Sequence, residues 1–344
     1  GKESAGKMKR RDLEGLANVA CRTCGSCAGL FTANSMNCIA EAVGLALPGN
    51  GTIPAAEWID RDKFKWRINP ERLALVEKAA DTIESLMARK IRPRDIVTLQ
   101  AIDNAFVLDL AMGGSTNTVL HTLALAREAG LDYPLARLNE LSQKVPTVCK
   151  VSPSRPEIHI EDLHRCGGVP AILKAVHGEN PELISLDAPT CVGPLREAVS
   201  RASAADGDVI RTGDKVFSRS GGLAILFGNI APDGAVVKTA GVAPDMMRFT
   251  GRAKVYTSQE EALHAILGGQ VADGDVVVIK FEGPKGGPGM QEMLSPTAAL
   301  AGRAPDPLAC HLPTAEDGAH GLAFVEACLE SAASGGWVQL AEIG

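Results

Sequence analysis

The sequence predicts a mixed α/β chain in two parts. A helix-rich domain runs from residue 1 to about 185, and a β-rich domain, barrel or sandwich, fills 186–344. Three observations carry this. Apolar residues recur at helical spacing through the first part. After about residue 180 that period fades, and short β-rich runs appear between Gly, Asp and Pro turns. With 344 residues, 45% of them apolar, the chain is long enough for two domains and can bury a sizeable core.

Taken in order, Lys9 to Val19 suits a short helix leading to Cys21. Thr32, Asn34 or Ser35 can cap a second helix, in which Met36, Ile39, Ala40, Val43 and Leu47 keep a helical period until Pro48-Gly49-Asn50-Gly51 stops it. Pro70 to Lys90 is an amphipathic helix with one stripe of Leu73, Leu75, Val76, Ala79, Ile83, Leu86 and Met87. Asp95 to Met112 is a second, largely apolar helix, which points to burial. A third follows from Thr118 to Glu128, and shorter ones cover Leu135 to Lys144 and Val169 to Val176.

Between the last two, Pro146 to Pro156 is extended or looped. In the second part the expected strands are Val209–Arg211, Leu223–Phe227, Ala235–Thr239, Ala253–Tyr256, Asp275–Lys280 and Trp337–Leu340. Ser258 to Leu267 is a helix among them, with Ser258 as cap and Glu260 and Glu261 in its first turn. No short-period internal repeat is visible.

Composition excludes several roles. The net charge is −6 with both signs interspersed, which argues against nucleic acid or an anionic membrane as partner. No apolar run approaches the length of a membrane span. Gly1-Lys2-Glu3-Ser4 offers neither a signal-peptide core nor an initiator Met, and reads as a fragment or processed chain. Nine unevenly clustered cysteines favour a reducing, cytoplasmic setting and thiols used for metal or chemistry, or simply buried.

Three of those thiols, Cys21, Cys24 and Cys27, stand three residues apart in a Gly-rich loop feeding a helix N-terminus. Thiolates at that spacing can converge on one soft metal centre. A self-contained ferredoxin site needs a fourth Cys followed by Pro, and the next, Cys38, lies inside the predicted helix. The ligand set is therefore incomplete: either other segments complete it or one thiol alone is used.

Other candidates are weaker. Gly113-Gly114-Ser115-Thr116-Asn117 is a plausible anion cradle, but a plain turn with a Ser/Thr cap accounts for it better. His159 and His164 are five apart and share no helix face, which disfavours zinc. The loop Phe281 to Glu292, with four Gly and two Pro, suits close approach to a ligand. Glu292 at its exit is balanced between a Mg²⁺ ligand and a helix-start carboxylate.

Several stretches resemble the dihydroxy-acid dehydratase family. They are Ala20 to Asn37, Glu41 to Gly51, Leu108 to His121, Lys144 to Pro146 with Cys149, Glu161 to Gly168 and Ser220 to Asn229. Val237 to Val242, Phe249 to Tyr256 and Glu282 to Leu294 complete the set. The resemblance covers most of residues 6–297. The sister 6-phosphogluconate and sugar-acid dehydratases share parts of it.

The resemblance implies an enzyme that dehydrates 2,3-dihydroxy-3-methyl acids to 2-oxo acids in valine and isoleucine biosynthesis. It implies an Fe–S cluster (2Fe-2S or 4Fe-4S) held by three Cys, a nearby Mg²⁺, and a homodimer. It makes the fold an α/β domain followed by a β-barrel-like domain, with the site between them. Carried over by position, Cys27 is the cluster ligand and Glu292 the Mg²⁺ carboxylate. Cys21 and Cys24 become bystanders.

Two departures follow. The family's other cluster Cys and Mg²⁺ residues belong to a portion not present here. Where the family carries its Ser base, this chain has Cys310 to Leu322, without a Ser. The chain by itself is therefore expected to form no full cluster and to show little activity. The alternatives are a sugar-acid or 6-phosphogluconate dehydratase, or an inactive fragment or remnant.

Overall fold

The computed structural model describes residues 25–60, 65–283 and 293–300. The first predicted helix, Cys21, Cys24, Glu292 and the Trp337–Leu340 strand lie outside these residues.

The chain forms two compact units. The larger spans Ala17–Met247. Its centre is helix α4 (Leu99–Met112), buried from Ala101 onward apart from the partly exposed Asp103. A helix apolar on most of its surface belongs inside a core. Around it pack α1 (Thr32–Ala42), α5 (Asn117–Glu128), α6 (Ala136–Ser142) and α8 (Gly168–Glu179).

The expected helix 95–112 is two: α3 (Pro93–Ile96) and α4. Val97 turns extended, and the Thr98 hydroxyl accepts the Ala101 N–H at 3.2 Å as a new N-cap. Gly113, at φ 60°, ends α4 in the left-handed conformation that glycine adopts freely.

Helix α2 (Pro70–Ala88) starts where Asn69 accepts the Glu71 N–H. Its predicted single stripe divides in two. Leu75, Ala79 and Leu86 pack on Leu47, Ile96 and Cys191, whereas Leu73, Val76, Ile83 and Met87 are exposed. Ahead of α2 lies a hairpin absent from the sequence expectations. It joins β1 (Ala56–Asp60) and β2 (Lys65–Ile68), with Trp58 opposite Trp66.

Residues 186–247 pack with the helices before them, so the expected boundary near 185 falls inside the larger unit. Short strands β3 (Pro189–Thr190) and β4 (Gly193–Pro194) pair, and α9 (Arg196–Arg201) follows. Strands β5 (Ala224–Leu226) and β6 (Ala235–Val237) pair antiparallel. Asn139 of α6 ties β5 down through both the N–H and the carbonyl of Ile225. The expected strand 209–211 reduces to one bridge, Cys149 with Ile210.

The second unit begins at Arg248. Strands β7 (Arg252–Tyr256) and β8 (Asp275–Ile279) pair parallel, with α10 (Gln259–Leu267) between them in sequence and α11 (Leu294–Leu300) beyond. Ser258 caps α10 by accepting the Glu261 N–H, as expected.

The β-barrel-like second domain is a correction. Among the described residues every sheet has two strands and none closes. Parallel strands need a crossover, and α10 supplies it, which makes this stretch a βαβ unit. No described helix is long and apolar enough to cross a membrane.

Candidate active site

Cys27 sits half-buried on the loop before α1, its thiol 3.4 Å from the Gly29 carbonyl. Three contacts hold that loop. Leu30 N–H donates to Ser152 O at 2.7 Å, and Ile160 N–H donates to Ala28 O at 2.9 Å. The buried Asn34 folds back from α1, donating its amide to the carbonyls of Cys27 and Gly29 and accepting the Ser26 hydroxyl. Asn34 is thus not the helix cap expected of it; α1 begins after Phe31 with no side-chain cap. Gly29 passes so close to Ser152 that a Cβ would overlap its carbonyl oxygen.

The N-termini of α1 and α5 meet. Ser115 N–H donates to Ser35 Oγ at 3.1 Å, Asn117 Nδ2 donates to Thr32 Oγ1 at 2.7 Å, and the Thr32 and Ser115 hydroxyls are 3.2 Å apart. The glycine stretch 113–117 is therefore an inter-helix turn, as the plainer account has it, but one stitched to the loop that presents Cys27.

Beneath the turn lies Asp109, fully buried. Thr118 Oγ1 donates to its Oδ2, while Oδ1 has no hydrogen-bond partner among the described residues and occupies the space a Gly114 side chain would need. Burial pushes this carboxyl up to about 7, opposed by the Thr118 hydrogen bond and the charge of Lys238. Burial lowers Lys238 in turn, against the attraction of Asp109.

Lys238 leads into a third glycine-containing turn. Ala240 N–H donates to Gly222 O at 3.0 Å, and Gly222 leaves no room for a Cβ against Gly113. Three motifs distant in sequence, 113–117, 220–222 and 238–241, so converge near the buried Asp109, with the partly buried Lys238 close enough for each charge to act on the other.

Three other thiols among the described residues are held protonated. Burial raises Cys38 well above an ordinary thiol and Cys149 to about 12; Cys166 rises to about 11, again chiefly through burial. The thiolate is the nucleophile and metal ligand, so without a metal these thiols are unreactive. His159 and His164 do not join a common site: His164 lies 3.4 Å from Glu71, and the His159 N–H of the backbone bonds Asp162. No group of three or more His, Cys, Asp or Glu side chains among the described residues can hold a metal ion. The described residues therefore do not by themselves fit an Fe–S cluster or a Mg²⁺ site; they offer Cys27 alone.

Sequence reasoning did not single out Asn34's clamp, Asp109 or Lys238. The signals were an acid on the buried side of a largely apolar helix and a lysine near the end of a β-rich run. Glu41 is similar: buried, and raised by that burial to about 7, it accepts the N–H groups of Gly49 and Gly51 at 3.0 Å each. A cavity of about 500 Å³ lies over Pro48, Lys78, Glu197 and Arg201, but Cys27, Asp109 and Lys238 do not line it. Size alone does not mark the site.

Comparison with known proteins addresses the same residues. The model "Dihydroxy-acid/6-phosphogluconate dehydratase N-terminal" matches residues 1–198, and its C-terminal counterpart matches 208–336. The chain is 52% identical over 303 residues to a dihydroxy-acid dehydratase of Aquifex aeolicus, covering 88% of this chain and 52% of the relative. It is also 52% identical over 299 residues to one from Caldanaerobacter subterraneus, covering 87% and 51%. The chain thus spans about half the length of the curated relatives it matches.

Proposed function

Because the chain belongs to the dihydroxy-acid/6-phosphogluconate dehydratase family, we propose that it is part of a hydro-lyase converting 2,3-dihydroxy-3-methyl acids to 2-oxo acids, in valine and isoleucine synthesis. The observation that carries this is Cys27: a half-buried thiol on a loop clamped by Asn34 and Ser152, within a stretch like that of proteins named for the reaction. In the reaction the C3 hydroxyl leaves as water, C2 loses its proton, and the resulting enol tautomerises to the 2-oxo acid. An Fe–S cluster would supply Lewis acidity toward the leaving hydroxyl, and Mg²⁺ would hold the substrate carboxylate.

This chain's own share is narrower. Cys27 provides one cluster ligand, with Glu292 proposed for Mg²⁺. Asn34 fixes the direction of the Cys27 loop by engaging both flanking carbonyls. The turn at 113–117 braces the start of α1 through Ser35 and Thr32, so the loop is held at both ends. A homodimer in the cytoplasm is the proposed setting.

A chimera tests the reading. Residues 6–297 replace the matching stretch of the Aquifex aeolicus relative, which supplies everything outside it. The chimera is expected to turn over 2,3-dihydroxy-3-methylbutanoate in preference to 6-phosphogluconate and sugar acids, and to lose that activity with Cys27→Ser. A folded chimera that holds its cluster yet acts only on 6-phosphogluconate, or on neither, sinks the assignment.

A further inference from the structure

Helix α2 has a second apolar seam that is exposed among the described residues. About 100° round the helix from the inward-facing Leu75, Ala79 and Leu86 lie Leu73, Val76, Ala80, Ile83 and Met87. Their spacing alternates three and four, the a and d positions of a heptad, which packs by knobs into holes on another helix. Leu73 is 49% exposed, Val76 61%, Ile83 59% and Met87 73%. No residue of this 19-residue helix is fully buried. The hairpin that precedes it exposes Trp66 and Ile68 as well.

Charge identifies what fits there. Glu77 and Glu84 take the e positions beside the seam, with Asp81 next to them, on the side away from the body. Lys78 lies on the far side of the helix, outside the reach of a seam contact. A second copy laid antiparallel, matching Leu73 with Met87 and Val76 with Ile83, would set Glu77 of one copy against Glu84 of the other. Like charges so placed oppose pairing, and basic flanks favour it. We propose that the outer seam of α2 docks an amphipathic helix of another polypeptide whose apolar stripe is flanked by lysine or arginine.

Two labelled synthetic helical peptides test this on the full chain, both with Leu at a and d, one flanked by Lys and the other by Glu. Fluorescence anisotropy is expected to show the Lys-flanked peptide binding roughly tenfold or more tighter, with the preference shrinking as salt rises. Val76→Ser with Ile83→Ser is expected to abolish binding while the circular dichroism spectrum and melting temperature stay unchanged, since both side chains are exposed. Equal binding of the two peptides, or binding of neither, overturns the proposal. So does light scattering that finds a dimer which the double substitution splits, because the occupant is then a second copy.

Discussion

The side-chain amide of Asn34 donates to the carbonyl of Gly29 at 2.9 Å and, with its other N–H, to the carbonyl of Cys27. Both donors of one buried amide are thereby spent on the loop that carries the candidate ligand. A helix residue usually leaves such work to the cap; here the first turn of α1 reaches backwards, and the loop inherits the rigidity of the core.

Replacing Asn34 with Asp keeps the size and removes both donors. Two backbone carbonyls lose their partners, at a cost of about 1–3 kcal/mol. Urea unfolding should show the loss, and alkylation of Cys27 followed by mass spectrometry should speed up. Unchanged alkylation would mean that the backbone bonds to Ser152 and Ile160 hold the loop without Asn34.

Two glycines should respond oppositely to Ala. At Gly29 a Cβ would overlap the Ser152 carbonyl, backbone that cannot step aside, so about 1–3 kcal/mol of stability is lost. At Gly178, inside α8, nothing lies within 4 Å of the new methyl, and the helix gains about 0.5–1 kcal/mol. Thermal melts of the two variants should move in opposite directions.

Asp109 and Glu41 give the fold a pH dependence. An unfolded carboxyl releases its proton near pH 4. Burial raises these two to about 7 in the folded chain, so the folded state binds more protons between those values. Stability therefore falls as pH rises through that window and levels off above it. Asp109→Asn keeps an acceptor for Thr118 and removes one of the two titrations. Its urea midpoint should fall less steeply from about pH 5 to about pH 8; parallel curves would assign the slope elsewhere.

Local chemistry was legible in the sequence, and its long-range consequences were not. Helices 70–88, 117–128 and 259–267 follow from apolar period and, for the last, from its Ser258 cap. The break at Val97 was hidden because the apolar run is continuous across it and a single Thr98 hydroxyl decides it. The stripe of α2 read as one face because periodicity shows which residues are apolar, not what covers them. Short β-rich runs suggested a barrel, but a helix between two of them already marks a parallel crossover. The motif around Cys27 was legible as a family resemblance, whereas the Asn34 clamp on its loop was not. Asp109 and Lys238 come within electrostatic reach only because three turns converge, and no local pattern announces that.

Cys21, Cys24 and Cys27 have the spacing of a shared metal site, yet the family resemblance assigns one ligand to this stretch. Among the described residues no other set of side chains completes a site. Anaerobically reconstituted, the chain alone should carry iron and acid-labile sulfide well below one cluster per chain, and should not turn over 2,3-dihydroxy-3-methylbutanoate. In the chimera, Cys21→Ser with Cys24→Ser should leave iron content and turnover intact, whereas Cys27→Ser should abolish both. If the isolated chain instead binds a full cluster that Cys21→Ser or Cys24→Ser destroys, the three thiols form a centre of their own and Cys27 loses its assigned role as a single ligand.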